Sequence, residues 1–381
     1  MHSESMSVEP ATPLSVIHLC APAEVGGLER VVQGLSIEGV ERGHTVRVVV
    51  VQHPESDLSS FLSDLERAGV ETTAVRVAGR QYLAEIREIA QILERTRPDI
   101  LHTHGYRCDI LHGWHARRRG IATVSTLHGS SRMGGLSHLF EWFQLRALRR
   151  FDAVVAVSKP LERELVELGV SGDRVHLVPN AWTPPEGPLD RPESRDKLGL
   201  READGPILGW VGRLIPIKGC DVFLEALGLI VDLSWTAVIV GDGPERNSLE
   251  EWVEDQGLSD RIHFLGSVPN AARYFSAFDL QILSSRSEGT PMVLLEAMGT
   301  GVPVIATAVG GVPDMLEDGR DGWAVTPEVP VLLAEAMRCA LSNPSDRTRR
   351  AQIAYDKAAN EYSRERWMQR HEQVYLAAMN R

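Results

Sequence analysis

The chain lacks the features that several classes of protein require. Its four cysteines are scattered over 381 residues without a CxxC pair, which argues against a disulfide framework or a zinc ribbon and for reduced thiols. No apolar run approaches the roughly 20 residues that span a bilayer. The first dozen residues, MHSESMSVEPAT, lack the basic and apolar segments of a secretory signal. These absences favour a cytoplasmic protein whose membrane contact, if any, is peripheral.

An excess of positive charge is also missing. The formal net charge of -12 argues against nucleic acid as the main partner, because neutralising phosphates needs a dominant basic face. The content of 43% hydrophobic and 24% charged residues is that of a globular protein, which excludes a disordered or fibrous class. A length of 381 residues exceeds what one hydrophobic core usually supports, so two domains are expected.

Short apolar runs rich in β-branched residues alternate with segments of helical period along most of the chain. The runs in the first half are LSVIHLC, HTVRVVVVQ, VETTAVRV, DILHTHG and IATVSTLHG, and those in the second are GPILGWVGRL, WTAVIVGDG, RIHFLG, DLQILSS and VPVIAT. This alternation indicates βαβ units with a parallel sheet covered on both faces. The sequence therefore predicts an α/β fold with two Rossmann-like, doubly wound domains.

A stretch rich in proline, glycine and charge separates the two halves. Residues 180–205 show no apolar period and are predicted to be the linker, although a long loop within one domain also explains them. The predicted domains are 1–185 on the amino-terminal side and 186–361 on the carboxy-terminal side. The aromatic helical pattern of 362–381 predicts a terminal helix that packs back on the first domain.

Glycines follow several of the predicted strands. Ligands of open α/β sheets bind outside the carboxyl ends of the strands, so these positions are candidates for a site. Gly26 and Gly27 precede a helix and allow close approach of a ligand to backbone amides, although an ordinary tight turn explains them equally well. Gly241, in GDGPER, lies in a similar turn that is weak support by itself.

Two cations follow the first strand of the second half. Arg213 and Lys218, in GRLIPIKG, lie in a short turn at a strand end, where a guanidinium fork and an ammonium suit a diphosphate. Solvated loop charges are the alternative interpretation.

The stretch SSRSEGTPMVLLEAMGTGVPVIA adds a helix start to these cations. Thr290 is predicted as the N-cap and Pro291 as the first helical residue. The amides near Met292 and Val293, together with the helix dipole, predict an anion site.

Two carboxylates lie on either side of this helix start. Glu288 precedes it and Glu296 lies one to two turns inside the helix. A pair of acids can cut a glycosidic bond, but a phosphate at the helix start would instead leave one carboxylate for the hydroxyls of each flanking sugar. The second interpretation is preferred because it also uses Arg213 and Lys218.

In this order, GGLERVV, GRLIPIKG, GDGPER, FLGSV, EGTPMVLLEAMGTGVPVIAT and the aromatic terminal helix resemble the retaining glycosyltransferases of family 4, over essentially the whole chain. The resemblance implies the GT-B fold and transfer of a sugar from a nucleotide-diphosphate sugar, UDP-linked rather than GDP-linked. The implied acceptor is a hydroxyl of a glycan, a lipid-linked molecule or a small molecule, in polysaccharide, lipopolysaccharide or glycolipid synthesis. No cofactor and no metal are implied, because Arg213, Lys218 and the helix start would neutralise the diphosphate.

The resemblance also implies roles for individual residues. Arg213 and Lys218 would hold the diphosphate, Glu296 the ribose hydroxyls and Glu288 the transferred sugar, while His128 would lie beside the reacting sugar. The implied catalytic residues are Glu288, His128, Arg213 and Lys218, and the implied acceptor-side residues are His104 and His128. The implied donor-binding residues are Gly26, Gly27, Arg213, Lys218, Gly241, Gly266, Val268, Glu288, Gly289, Thr290, Pro291, Met292, Val293 and Glu296. EGTP in place of EGFG, and PNAW in place of PNG, depart from the family pattern and leave donor and acceptor identity open.

Other functions compete with a transferase. His102 and His104 alternate on one strand face and could serve a zinc-dependent hydrolase, but HTHGYR lacks the acid and the third histidine of an HxHxDH site. A GT-B epimerase or a trehalose-type synthase would share the fold, and a nucleotide-binding subunit without catalysis would share the donor site. The intact set of Glu288, Glu296, Arg213 and Lys218 favours a catalytic transferase.

A basic segment bears on the acceptor. Between residues 105 and 150 the arginines are Arg107, Arg117, Arg118, Arg119, Arg132, Arg146, Arg149 and Arg150, against the acids Asp109 and Glu141. The apolar residues among them are Leu136, Leu139, Phe140, Trp142 and Phe143. This composition leads to the hypothesis of docking on an anionic membrane surface, with a solvated face beside a core helix as the alternative.

Overall fold

The computed structural model describes residues 12–22, 27–56, 58–79, 81–129, 137–185, 187–200 and 205–381. The chain divides into two compact units. The first consists of Met1–Val157, Leu161–Val178 and Arg364–Arg381, and the second of Ser158–Pro160 and Pro179–Ser363.

The first unit is built on a parallel sheet with the strand order β3-β2-β1-β4-β5-β6-β7. Its strands are β1 Ser15–Cys20, β2 Thr45–Gln52, β3 Glu71–Arg76, β4 Ile100–His104, β5 Ala122–Leu127, β6 Ala153–Ala156 and β7 Val175–Leu177. The helices between them are α1 Gly27–Glu41, α2 Ser59–Arg67, α3 Tyr82–Thr96, α4 Tyr106–Arg117, α5 Ser137–Leu148 and α6 Lys159–Glu167. The strand order reverses between β1 and β4, which is where such sheets place ligands.

The second unit repeats this architecture with the strand order β10-β9-β8-β11-β12-β13. Its strands are β8 Ile207–Val211, β9 Thr236–Val240, β10 Ile262–Gly266, β11 Leu280–Leu283, β12 Val304–Thr307 and β13 Trp323–Val325. Its helices are α7 Arg191–Lys197, α8 Cys220–Gly228, α9 Arg246–Asp255, α10 Met292–Gly299, α11 Val312–Met315, α12 Pro330–Ser342 and α13 Pro344–Glu361. The order reverses between β8 and β11.

Burial on both faces explains why the strands read as continuous apolar runs. Every residue of β4, β6, β9, β11 and β12 is buried, as expected for parallel strands with helices on both sides. The predicted α/β fold with two doubly wound parallel sheets is confirmed. Three strands, β6, β7 and β13, were not predicted, because their runs of three or four residues are too short to show a pattern.

The stretch 180–205 is not a linker without secondary structure. It contains α7, whose N-cap Asp190 accepts a hydrogen bond at Oδ1 from the amide of Glu193 at 2.8 Å. The helix packs on the 3-10 helix Ala271–Ala277 of the same unit. Its seven residues are mostly charged, so the sequence shows no apolar period that would predict this helix.

The terminal helix α14, Arg364–Met379, belongs to the first unit. It packs on β5, β6 and α1, and Tyr375 is fully buried there. Arg42, which directly follows α1, donates hydrogen bonds from Nε and Nη2 to the two carboxylate oxygens of Glu372, at 2.8 and 2.9 Å. Among the described helices, none combines the length and the apolar character needed to cross a bilayer.

Candidate functional site

In the second unit, two loops meet at the point where the strand order reverses. One follows β8 (212–219) and the other follows β11 (284–291), and both leave the carboxyl edge of the sheet. The amide of Arg286 donates a hydrogen bond to the carbonyl of Ile217 at 2.8 Å, which ties one loop to the other. The two loops carry the predicted diphosphate and sugar residues.

A short ion pair connects these loops. Lys218 Nζ lies 2.6 Å from Glu288 Oε1, and the hydroxyl of Ser285 donates to the same oxygen at 2.6 Å. The side chain of Glu288 is nearly buried, whereas that of Lys218 is 26% exposed. Because an ammonium has three hydrogens, this contact orients Lys218 and leaves donors for a second anion.

Arg286 stabilises the turn that presents Lys218. Its Nη1 and Nη2 donate to the two oxygens of Asp221 at 3.0 and 2.7 Å, and its Nε donates to Glu328 at 3.1 Å. A further hydrogen bond joins Arg286 to the carbonyl of Pro216. The hydrogen bonds to Asp221 raise the pKa of Arg286 above its usual range, so the guanidinium is permanently charged.

Ser284 also stabilises the turn that carries Lys218. Its hydroxyl accepts from Trp210 Nε1 at 3.0 Å and donates to the carbonyl of Gly219 at 2.6 Å. Gly219 has a φ of 62°, and a Cβ there would lie 2.2 Å from the carbonyl oxygen of Ser284. Only glycine therefore lets the two loops approach this closely.

The loop of Glu288 is supported from the next strand. After β12, Gly310 has a φ of 54° and passes so close to Glu288 that a Cβ would lie 1.6 Å from its carbonyl oxygen. The amide of Gly311 donates to the carbonyl of Gly289 at 2.8 Å. Gly241 packs in the same way on Gly212, where a Cβ would lie 1.8 Å from the carbonyl oxygen.

The helix start differs from the prediction by one residue. Helix α10 begins at Met292, and its N-cap is Pro291 with no side-chain capping hydrogen bond, so Thr290 is not the N-cap. A proline has no amide hydrogen to give, and it ends the extended segment with a fixed φ of -69°. The first-turn amides of an α-helix have no acceptor within the helix, so those of Met292 and Val293 remain suited to an anion.

The PNAW segment holds α10 at both ends. Asn180 Nδ2 donates to the carbonyl of Thr290 at 3.0 Å, just before the helix. At the other end, a Cβ on Gly299 would lie 2.1 Å from the ring of Trp182. This departure from the family pattern thus packs inside the second unit. Glu296 lies on the same helix and is 6% exposed.

The remaining predicted donor residues lie along the same edge. Arg213 is exposed, and Val268 is half-buried. Gly266 ends β10 with a φ of 68°, and its carbonyl accepts from the amide of Gly241 at 2.8 Å. This edge of the second unit therefore combines cations, a helix start and carboxylates, which suit a diphosphate and sugar hydroxyls.

In the first unit the predicted residues lie at the ends of β1, β4 and β5. Gly26 lies outside the described residues, and Gly27 is the exposed first residue of α1. His104 ends β4 and is 1% exposed. Nδ1 of His104 lies 3.2 Å from Nε2 of His128, which follows β5.

The geometry does not favour zinc at His102 and His104. Ring nitrogens of His18, His102 and His104 lie within 4.8 Å of one another. However, the rings of His102 and His104 stack at 4.3 Å between centroids and 29° between planes, so their lone pairs run side by side and do not converge. Both nitrogens of His102 also have partners, Tyr375 Oη at 3.0 Å and Thr126 Oγ1 at 2.7 Å.

The arginines of 105–150 are more often paired than their local sequence indicates. Arg107 binds the buried Glu85 at 2.5 Å, Arg117 lies 3.3 Å from Asp152, and Arg119 lies 2.6 Å from Glu94. Two of these three acids precede the segment and the third follows it, so counting charges within 105–150 overestimated the net positive charge. Arg132 and Leu136, with the side chains of Leu139 and Glu141, lie outside the described residues.

Aromatic exposure in this segment is the stronger feature. The exposed fractions are 54% for Tyr106, 53% for Trp114, 47% for Phe140, 54% for Trp142 and 44% for Phe143. Guanidinium groups of neighbouring arginines lie over both tryptophan rings: Arg118 over Trp114 at 4.6 Å and Arg146 over Trp142 at 6.0 Å. We call this set of five aromatic residues the aromatic surface.

Sequence reasoning missed the residues that support the site. Ser284, Ser285, Arg286 and the pair Gly310 and Gly311 carry no motif of their own. The available signal was their position, because all five lie in the loops that follow β11 and β12.

The chain is similar to known proteins over most of its length. Residues 25–182 match the family described as Glycosyltransferase Family 4, and residues 205–343 match the one described as Glycosyl transferases group 1. N-acetyl-alpha-D-glucosaminyl L-malate synthase of Bacillus anthracis is 30% identical over 318 residues, which cover 80% of this chain and 81% of that protein. 2-deoxystreptamine N-acetyl-D-glucosaminyltransferase of Streptomyces fradiae is 32% identical over 339 residues, covering 77% and 78%.

A solved structure extends the likeness to the whole fold. Anabaena Alr3699/HepE, crystallised in complex with UDP, superimposes with a TM-score of 0.82 at 20% identity, covering 96% of this chain and 100% of that one. The same protein was also solved with UDP-glucose.

Proposed function

Because this chain belongs to glycosyltransferase family 4 and has the GT-B fold, we propose that the sugar it transfers comes from a UDP-sugar and keeps its anomeric configuration. The proposed acceptor is a hydroxyl of a glycan, a lipid-linked molecule or a small molecule. The enzyme is a glycosyltransferase; the donor base, the stereochemistry and the acceptor are the proposed parts.

The contact between Lys218 and Glu288 carries the proposal. Lys218 suits the leaving diphosphate and Glu288 suits the transferred sugar, and these are the two groups that the breaking bond joins. Because Lys218 Nζ lies 2.6 Å from Glu288 Oε1, each of the two groups would have a partner at the same place. Arg213 adds a second cation, and the start of α10 adds amide donors. Glu296, on the same helix, is proposed to bind the ribose hydroxyls.

These groups stabilise charge as it develops. When the bond from the sugar to the diphosphate lengthens, negative charge builds on the leaving oxygen beside Lys218 and Arg213. In the proposed front-side displacement, that oxygen takes the proton of the attacking hydroxyl, so no enzyme carboxylate acts as nucleophile. We further propose that no metal is required, because two cations and a helix start supply the positive charge.

Names of similar proteins guide the choice of donor. Alr3699/HepE was solved with UDP and with UDP-glucose, and both curated relatives described above are named for an N-acetylglucosaminyl group. UDP-N-acetylglucosamine and UDP-glucose are therefore the first donors to test.

The aromatic surface supports a proposal about the acceptor. Tyrosine and tryptophan with neighbouring arginines are typical of surfaces that lie in a membrane interface. We propose that this surface docks the first unit on anionic lipid, which would bring a lipid-linked acceptor to the enzyme. Flotation with phosphatidylglycerol vesicles should carry the wild-type protein upwards, and Trp142→Ala with Phe143→Ala should reduce the bound fraction. Equal flotation with neutral vesicles would contradict this docking.

The function is tested by measuring UDP release from each donor with EDTA present and then with magnesium. Turnover that survives EDTA and is lost in Lys218→Ala is expected. Proton NMR of the first product formed should show the donor's anomeric coupling retained. Turnover that requires magnesium, or a product with inverted configuration, would contradict the corresponding part of the proposal.

A further inference from the structure

A layer of histidines lies between the first sheet and α14. His18 on β1 pairs in register with His102 on β4, and His104 lies two residues further on the same strand face. His128 follows β5, and His371 lies on α14, 5.9 Å from His102 between ring centroids. His18, His102, His104 and His371 are each at most 2% exposed.

The rings of His18, His104 and His128 form a row linked by hydrogen bonds, which we call the file. Nδ1 of His18 lies 3.1 Å from Nε2 of His104, and Nδ1 of His104 lies 3.2 Å from Nε2 of His128. Nδ1 of His128 is buried and has no hydrogen-bond partner among the described residues. A buried polar atom left without a partner costs free energy, which makes it a candidate to receive a ligand.

Burial keeps these rings neutral. It lowers the pKa of His18 to about 3 and that of His128 to about 4, with a smaller contribution from the charge of His371 in both. Burial, followed by repulsion from His18 and His128, holds the pKa of His104 well below its usual range. Each ring therefore carries one N–H hydrogen near neutral pH.

A file of neutral rings has only two consistent arrangements. If His18 donates from Nδ1, then His104 accepts at Nε2 and must itself carry its hydrogen on Nδ1, and the same holds for His128. In the reverse direction all three rings carry the hydrogen on Nε2. The three residues must therefore share one tautomer, and that tautomer decides whether Nδ1 of His128 is a donor or an acceptor.

We propose that His18 and His104 are positioning residues that fix the orientation and tautomer of His128, and so determine which kind of hydrogen bond His128 makes to the transferred sugar. This inference rests on the proposed function and on the position beside that sugar which the family resemblance implies for His128. His18 and His104 act only through His128.

The tautomers can be read directly by NMR of the full chain labelled with ¹⁵N-histidine, since protonated and unprotonated ring nitrogens differ widely in chemical shift. Spectra of His18→Gln, His104→Gln and His128→Gln assign the three rings. The wild type is expected to show one shared tautomer for His18, His104 and His128. Different tautomers among the three would overturn the proposal.

Kinetics of a matched pair of variants tests the consequence. Asparagine places its amide near the Nδ1 position of histidine and glutamine near the Nε2 position. His104→Asn should therefore keep the bond to His128, whereas His104→Gln should lose it. We expect His104→Gln to lower kcat about tenfold or more with little change in the donor KM, and His104→Asn to lower it less.

A double variant tests whether His18 and His104 act together or independently. Because either break interrupts the file, His18→Gln combined with His104→Gln should lower kcat no more than His104→Gln alone. His44→Gln is the control for loss of a buried imidazole, since His44 lies in the same unit and binds Glu372 at 3.0 Å, away from the file. Its kcat should equal that of the wild type.

The outcomes distinguish this inference from the proposed function. Wild-type turnover that is unchanged in His104→Gln, or kcat effects that multiply in the double variant, would overturn the file while leaving the transferase intact. No turnover with any UDP-sugar would refute the proposed function itself. Stoichiometric zinc in the purified protein, lost in His18→Gln and His104→Gln, would also overturn the file, because a metal would replace its hydrogen bonds.

Discussion

The carboxyl edges of the two sheets differ in the chemical groups that form them. In the second unit, the edge consists of glycine-rich backbone turns with a short ion pair between Lys218 and Glu288. In the first unit, imidazoles contact one another across neighbouring strands: His104 ends β4, His128 follows β5, and His18 lies near the end of β1. The first kind of edge suits a charged group that must be neutralised, and the second suits a group that must be oriented by hydrogen bonds. Substitutions at each edge test this division.

Removing the cation of the second unit should have the largest effect. Lys218→Ala is expected to lower kcat/KM for the UDP-sugar by about 100-fold or more, because the leaving diphosphate loses a charge-assisted partner and Glu288 loses its counterion. Lys197→Ala, which removes an exposed lysine of α7, should leave kcat/KM unchanged. Steady-state UDP release measures both. Equal effects of the two substitutions would place the diphosphate elsewhere.

The backbone packing of the second edge predicts a large loss of stability. Gly310→Ala adds a Cβ that would lie 1.6 Å from the carbonyl oxygen of Glu288, at a positive φ. We expect it to lower the free energy of unfolding by about 3 kcal/mol or more. Gly301→Ala is the matched control: its φ is 72° but nothing lies within 4 Å, so only the conformational cost of about 1 kcal/mol should appear. Urea denaturation compares them, and equal losses would show that the clash is relieved without cost.

Buried charge in the first unit should make its stability depend on pH. Burial raises the pKa of Asp109 to about 6, against the hydrogen bonds that it accepts from Thr103, Gln144 and Ser125. The folded state therefore keeps a proton that the unfolded chain releases near pH 4, so the contribution of Asp109 to stability falls as pH rises from about 4 to 6. The loss should be about 2 to 3 kcal/mol.

Asp109→Asn removes this titration. The buried histidines of this unit have lowered pKa values and destabilise the folded state as pH falls, so the effect of Asp109 must be measured as a difference between two proteins. In urea denaturation, the free energy of unfolding of the wild type relative to that of the variant should be lower at pH 7 than at pH 4.5. The same pH slope in both proteins would show that Asp109 ionises as readily in the folded state as in the unfolded one.

Substitutions of the two glutamates of the second unit should have different effects on UDP affinity. This difference is the smallest effect expected. Glu288→Gln removes the counterion of Lys218 and should leave UDP affinity unchanged or tighter while kcat falls. Glu296→Ala should weaken UDP binding by a few-fold to about tenfold, because ribose hydroxyls lose their acceptor. Calorimetry with UDP and single-turnover kinetics distinguish the two. Weaker UDP binding in Glu288→Gln than in Glu296→Ala would reverse the assigned roles.

The sequence predicted the second edge better than the first for a physical reason. Arg213, Lys218, Glu288 and the start of α10 follow their strands directly, so local order along the chain is enough to bring them to one edge. The contact of His18 with His104 depends on the register of β1 against β4, which no local pattern states. The packing glycines Gly310 and Gly311 and the short helix α7 were missed because their roles depend on neighbours distant in sequence.

The most direct test of the account is binding of nucleotides to the full chain without metal. Thermal unfolding should be followed with UDP, GDP and ADP in turn, first with EDTA and then with magnesium, because a ligand that binds only the folded state raises the melting temperature. The account predicts an upward shift with UDP that is independent of magnesium, smaller or absent with GDP and ADP, and lost in both Arg213→Ala and Lys218→Ala. A shift that survives both substitutions, or stabilisation by zinc with no response to any nucleotide, would contradict a UDP-sugar site at this edge of the second unit.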